Sequence, residues 1–191
     1  MNAQVLILTA SPNPCGNSRT MAKEFADKAV EYGATVIWRH LSELPGEGCR
    51  SCEACRTVSE HCVVEDALGE TMNQMRKADV IVIAAPVWFL ELPASLRRLV
   101  ERCHSLIAPD RSPRLPSGKR GVLLLSQGAP ADRYADLPQR YAKIFSLLGI
   151  REVGIVRHCD AHQWPVDERI EILDDVRDAA QAALCPDAPQ A

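Results

Sequence analysis

The 191-residue chain has no long apolar run. No stretch approaches the ~20 residues needed to span a bilayer, and the opening MNAQVLILTASPN has no basic region ahead of its apolar segment. The expectation is a cytoplasmic protein with no membrane partner. Charge of one sign is also lacking: the formal net charge is -3, with acidic and basic residues interspersed. That leaves no basic face for nucleic acid. Two glycine-rich phosphate motifs are absent too. Neither G-x-x-x-x-G-K-S/T nor G-x-G-x-x-G occurs, which removes support for a P-loop and for a dinucleotide fingerprint. Aromatic residues are scarce at 5%, so any that stand in a loop draw attention.

Cysteine is the opposite case. Of eight cysteines, Cys49, Cys52, Cys55 and Cys62 crowd into the run CRSCEACRTVSEHC. Thiolates at this spacing can close on one soft metal centre, and soft sulfur selects iron–sulfur clusters, zinc or copper(I). Three evenly stepped cysteines plus a fourth favour a 4Fe-4S cubane, whereas structural zinc more often draws on two separated pairs. A disulfide-bonded or simply reduced loop is the plain alternative. In a reducing compartment the eight cysteines read as ligands or free thiols. Val63 follows Cys62 where the common ferredoxin run carries proline, so this is no simple ferredoxin.

With 47% hydrophobic residues, the chain can build one domain with a substantial core. We place that domain at residues 1–185, with the cysteine-rich loop at 45–65 and a fraying tail at 186–191. Short β-branched runs alternate with longer amphipathic ones. Strands are expected at Val5 to Thr9, Thr35 to Arg39, Val80 to Ala84, Gly121 to Leu125 and Glu152 to Arg157. Helices are expected at Arg19 to Tyr32, Asp66 to Lys77, Pro93 to Leu106, Tyr134 to Leu148 and Asp167 to Leu184. Five strands alternating with five helices through right-handed crossovers define an α/β fold, a doubly wound five-stranded parallel sheet.

In such a sheet, ligands bind beyond the carboxyl ends of the strands at the switch point of strand order. The loop after strand one, SPNPCGNSRT, opens into a helix. Its N–H groups suit a monophosphate, with Ser11, Asn17, Ser18 and Thr20 as further donors and Arg19 as a further charge. The alternative is that Ser18 caps the helix and the other hydroxyls make turns. After strand three, AAPVWFLELPASL offers Pro86, Val87, Trp88 and Phe89 to a flat ring system; packing in a core or between subunits is the structural alternative. After strand four come Ser126, Gln127 and Gly128. Together the loops describe a phosphate end and a flat end.

Across about residues 4 to 160, these segments resemble the flavodoxin-like NAD(P)H-dependent FMN reductases, and within them the iron–sulfur flavoproteins. The resemblance lies in SPxxxGNS, PVWF and the cysteine run followed by VVED. It implies FMN phosphate contacts from Ser11, Asn17, Ser18 and Thr20, ring contacts from Pro86, Val87, Trp88 and Phe89, and further contacts from Ser126, Gln127 and Gly128. It also implies cluster ligation by Cys49, Cys52, Cys55 and Cys62. Pro14, Cys15 and the C-x6-C gap depart from the usual pattern. The implied protein is an oxidoreductase moving electrons from NAD(P)H to a small acceptor or redox protein, as a homodimer or homotetramer. Lacking a second nucleotide domain, it would take nicotinamide and acceptor in turn at one flavin face. A flavodoxin-like carrier between proteins and a zinc-stabilised flavin-binding regulator remain as rivals. His104, His158 and His162 lie near the expected site, but none is assigned a catalytic role.

Overall fold

In a computed structural model, which describes residues 2–185, five strands form one sheet. They are β1 (Gln4–Thr9), β2 (Thr35–His40), β3 (Val80–Pro86), β4 (Arg120–Ser126) and β5 (Arg151–His158), in the order β2-β1-β3-β4-β5. Every pairing is parallel. Parallel neighbours need crossovers, supplied here by α1 (Asn17–Glu31), α3 (Ala67–Lys77), α4 (Ala94–Arg102), α5 (Leu137–Leu147) and α6 (Ile170–Leu184); α2 (Ala54–Thr57) is a single turn in the cysteine loop. This is the flavodoxin-like doubly wound order. The expected tail at 186–191 lies outside the described residues.

The strands are apolar without interruption because both faces of the sheet are covered. Alternate residues serve opposite cores. Val5, Ile7, Val80, Val82, Val122 and Leu124 pack with Met21 and Phe25 of α1 and Val176 and Ala180 of α6. Leu6, Leu8, Ile81, Ile83, Leu123 and Leu125 pack with Leu68 and Met72 of α3, Leu96 and Leu99 of α4, and Tyr141 and Phe145 of α5.

Helix ends differ from the expectation where local geometry intervenes. α1 begins at Asn17, with Gly16 as its N-cap, so Ser18 lies inside the first turn and does not cap. The helix expected to end at Leu106 tightens into a 3-10 turn over Cys103–Leu106. Tyr134 has φ +57, a left-handed value that no α-helix accepts, and α5 starts only at Leu137.

All five carboxyl strand ends share one edge of the sheet. The loops 10–16, 41–66, 87–93, 127–136 and 159–169 gather there, and the crossovers from β1 and β3 depart in opposite directions at the switch point. The cysteine loop and the phosphate-type loop therefore stand on the same edge. At the opposite end of β4, Gly121 allows α5 to approach: an added Cβ would lie 2.6 Å from Phe145 and 2.9 Å from Ile150. Gly121→Ala should destabilise the fold by about 1–3 kcal/mol through overpacking, read from the urea midpoint at unchanged slope.

Candidate functional site

The first turn of α1 is open. Gly16 supplies no side-chain cap. The N–H groups of Arg19 and Thr20 both donate to the Gly16 carbonyl, at 2.8 and 3.1 Å, which leaves those of Asn17 and Ser18 at the helix mouth. Ser11 is buried beside that mouth; a Cβ on Gly16 would lie 3.3 Å from its Oγ. Ser11 Oγ accepts the Asn13 N–H at 3.1 Å, and Ser42 Oγ donates to the Ser11 carbonyl at 3.1 Å. The N–H groups at the helix mouth, the helix dipole and the adjacent hydroxyls make the kind of cradle that can receive an anion. Thr20 Oγ1 turns back to the Gly16 carbonyl, while Asn17 Oδ1 accepts the Val166 N–H at 3.0 Å. Arg19 is committed to Glu43 at 2.6 Å, so it is not the free cation the sequence suggests.

Beside the cradle, the loop after β3 makes a strained hairpin. Pro86 pairs with Ser126, and the Val87 N–H donates to the Ser126 carbonyl at 2.7 Å. Trp88 and Glu91 exchange backbone hydrogen bonds of 2.8 and 3.0 Å around Phe89 and Leu90, at φ +48 and +74. This is the two-residue turn that Asn-Gly normally fills. Bulky side chains there cost roughly 1–2 kcal/mol per residue. Glu91 holds the turn, accepting from Tyr141 Oη at 3.0 Å, the Leu92 N–H at 2.9 Å and Arg140 at 3.2 Å. Burial and the Glu91 carboxylate push the Tyr141 hydroxyl up to about 12, so it remains a donor. The strain lifts Phe89 into solvent at 99% exposure, with Trp88 half-exposed.

After β4 the residues turn inward. Buried Gln127 donates through Nε2 to the carbonyls of Ala129, Pro130 and Arg133, at 3.1, 2.8 and 3.1 Å, and accepts Arg157 at 3.0 Å. It shapes the loop. Gly128 receives the His162 ring, to which an added Cβ would approach within 2.1 Å. His158 is fully buried between Ser126 Oγ at 3.3 Å and the Trp164 carbonyl at 2.9 Å, and burial holds its pKa below the ordinary value. It is a neutral packing group. The structure thus brings Ser11, Ser18, Pro86, Val87 and Ser126 together along one edge, while the Phe89 side chain projects from it.

The four cysteines line one small cavity, open to solvent, with Arg102, His104 and Ser105 also in its wall; its volume is about 20 Å³. All eight cysteines are free thiols. Ser51 and Glu53, which alternate with the ligand candidates, have left-handed φ values of +52 and +55. The Ser51 N–H donates to Cys49 Sγ at 3.4 Å. Burial and the neighbouring Cys62, Glu53 and Cys49 push the Cys55 thiol up. Among the described residues no three Cys, His, Asp or Glu converge on a single ion.

Arginines brace this loop from neighbouring elements. Arg98 of α4 donates to the carbonyls of Leu41, Leu44 and Gly46. Arg114 donates to Cys55 O at 2.8 Å and Glu60 O at 3.3 Å, and Arg76 to Glu60 O at 3.2 Å. Arg102, with a side chain 1% exposed, pairs with Asp66 at 2.5 Å and donates to Val64 O at 2.8 Å. Burial opposes its charge, but Asp66 and Cys62 outweigh that and hold its pKa above the ordinary value. Asp66 also caps α3, accepting the Gly69 N–H at 2.8 Å. Sequence reading missed these braces. One signal was present: Arg102 occupies a core position in the series Leu96, Leu99, Cys103, Leu106, and a buried cation requires a partner.

The strand order and its switch point between β1 and β3 define a flavodoxin-like fold, with the open α1 N-terminus and the apolar loop at its carboxyl edge. The chain belongs to the flavodoxin-like fold family, whose model it matches over residues 3–184. Among curated relatives, it is 27% identical over 103 residues to an iron–sulfur flavoprotein of Methanocaldococcus jannaschii, covering 54% of this chain and 53% of that one. It is 29% identical over 132 residues to an FMN-dependent NADH:quinone oxidoreductase of Stenotrophomonas maltophilia, covering 65% and 66%. The chain spans about half the length of the first of these relatives. In fold it is similar to an FMN-dependent NADH-azoreductase from Bacillus anthracis in complex with FMN, with TM-score 0.76, 19% identity and coverage of 93% and 98%. Among the described residues no helix is long and apolar enough to cross a membrane.

The Asp66 carboxyl, although burial opposes its charge, is held below its ordinary 3.8 by the Gly69 N–H and Arg102. Its contribution to stability is therefore complete above that value and is lost as pH falls through the lower folded-state value. Asp66→Asn should cost about 3 kcal/mol at pH 7 by unpairing Arg102, and urea unfolding at decreasing pH should show the gap to wild type closing below pH 3.8.

Proposed function

We propose that the protein is an FMN-dependent NAD(P)H oxidoreductase that delivers electrons to small acceptors of the quinone or flavin type, with a 4Fe-4S cluster in its cysteine loop. The observation that carries this reading is the open α1 N-terminus, with Ser11 beside it, on the same sheet edge as the four-cysteine cavity. The cradle offers donors for one phosphate and no glycine fingerprint for a pyrophosphate. FMN fits it better than FAD.

In this reading the N–H groups of Asn17 and Ser18 and the hydroxyls of Ser11 and Ser18 hold the phosphate, with Thr20 beside them bonded to the Gly16 carbonyl. Pro86, Val87, Trp88 and Phe89 border the ring system, with Ser126, Gln127 and Gly128 along its other side. FMN supplies two-electron hydride uptake and single-electron release, and the cluster takes electrons singly. The chain itself needs no nucleophile and no general base. Its residues bind, orient and shield, and donor and acceptor alternate in one pocket, which gives ping-pong kinetics. Eight free thiols suit a reducing cytoplasm.

Cys49, Cys52, Cys55 and Cys62 would hold the cluster. The spacing supports a cluster over zinc, because structural zinc more often draws on two separated pairs while a single four-thiolate loop suits a 4Fe-4S group. The names of several relatives support the same choice. Phe89, at 99% exposure, supports a homodimer, because an aromatic lifted on a strained turn is left without apolar contact in a lone protomer.

Denaturation should release FMN. Ser11→Ala with Ser18→Ala should weaken FMN binding by about 1.5–3 kcal/mol for each hydrogen bond lost to the charged phosphate; unchanged affinity in a fluorescence titration would move the phosphate elsewhere. Alanine at any of Cys49, Cys52, Cys55 or Cys62 should abolish the full cluster, while alanine at Cys15, Cys103, Cys159 or Cys185 should leave it. Iron and sulfide analysis of anaerobic preparations reads this directly, and stoichiometric zinc in their place would leave a zinc-stapled flavoprotein. Phe89→Asp should shift light scattering from dimer to monomer; a wild type already monomeric and fully active would remove the dimer.

A further inference from the structure

The Arg102 guanidinium is buried and is hydrogen-bonded through both terminal nitrogens. One terminal nitrogen meets both Asp66 oxygens, at 2.7 and 2.5 Å, and the other donates to Val64 O at 2.8 Å. Its Nε is buried and has no hydrogen-bond partner among the described residues. Arg102 lines the cysteine cavity, and Asp66 lines the neighbouring groove; Cys62 lies in the wall of both. A buried N–H without an acceptor costs about 1–3 kcal/mol, and sulfur in the cavity is the acceptor at hand, since Cys62 and Arg102 share its wall.

We propose that Arg102 sets the reduction potential of the metal centre, donating an N–H···S hydrogen bond into the cavity and, backed by Asp66, stabilising the reduced state. This rests on the cluster reading above. A centre ligated by four thiolates is already anionic, and each electron it takes from the reduced flavin adds one negative charge with no proton to offset it. Hydrogen bonds to sulfur and local charge are the levers by which a protein raises such a potential. Asp66 acts through Arg102: its carboxylate accepts from the guanidinium through both oxygens and fixes its plane.

The test uses the full-length protein, reconstituted anaerobically with iron and sulfide. Midpoint potentials are read by electron paramagnetic resonance during a redox titration, alongside iron and FMN content. Arg102→Lys keeps the charge and loses the planar fork. Arg102→Met with Asp66→Asn removes both charges together, so no buried carboxylate is left unpaired to unfold the protein. We expect both variants to retain iron and FMN and to shift the potential to more negative values, the double variant further. Full iron with an unmoved potential in both overturns the role of Arg102 alone. A wild type that takes up zinc or no iron overturns the cluster reading and this role with it, so the two failures are distinguishable.

Discussion

Everything at the cysteine end of the molecule depends on arginine side chains bonded to backbone carbonyls. Apart from the single turn of α2, the segment between β2 and α3 has no secondary structure to satisfy its peptide groups. Side-chain donors from neighbouring elements take the place of a ladder for part of this loop. Arg76, Arg98, Arg102 and Arg114 supply them, reaching Leu41, Leu44, Gly46, Cys55, Glu60 and Val64. Arginine suits the task because its planar fork places several donors at fixed angles. The thiols can then line a cavity while the chain that carries them gains no strand.

Helix α4 joins the two halves of the edge. Ser95 in its first turn donates to the Ala10 carbonyl at 3.1 Å, directly before the anion cradle. Arg98 and Arg102, one and two turns later, reach the cysteine loop. The apolar face between them, Leu96 and Leu99, is sealed into the core. A rigid element thus spaces the α1 N-terminus from the cysteine cavity. The strained hairpin at its start is fixed from α5 by Tyr141 and Arg140, so the apolar tip is presented on a stiff mount.

How much of this was legible in the sequence follows from locality. The strands and their parallel, covered arrangement were readable because Val80 to Ala84 and Gly121 to Leu125 are apolar on both faces, which a covered parallel sheet explains. The cysteine cavity was readable because its four thiols lie within one loop. The commitment of Arg19 to Glu43, the burial of Gln127 under its own loop and the use of Asn17 to tie down Val166 were not, since each depends on a partner chosen by tertiary contact. The break at Tyr134 was hidden for a related reason. Its side chain packs against the core formed by Leu137 and Tyr141, and that contact outweighs the helical pattern running through it.

The bracing also orders events in time. The carbonyls at Gly46, Cys55 and Val64 wait for donors 52, 59 and 38 residues further along the chain. On a ribosome, the cysteines emerge long before Arg98, Arg102 and Arg114 exist to shape them. Contacts so far apart in sequence close late. For that interval the thiols are carried on an unstructured segment, open to oxidation and to any soft metal in reach. The thiols are thus given their final surroundings only once α4 and the segment before β4 have been made.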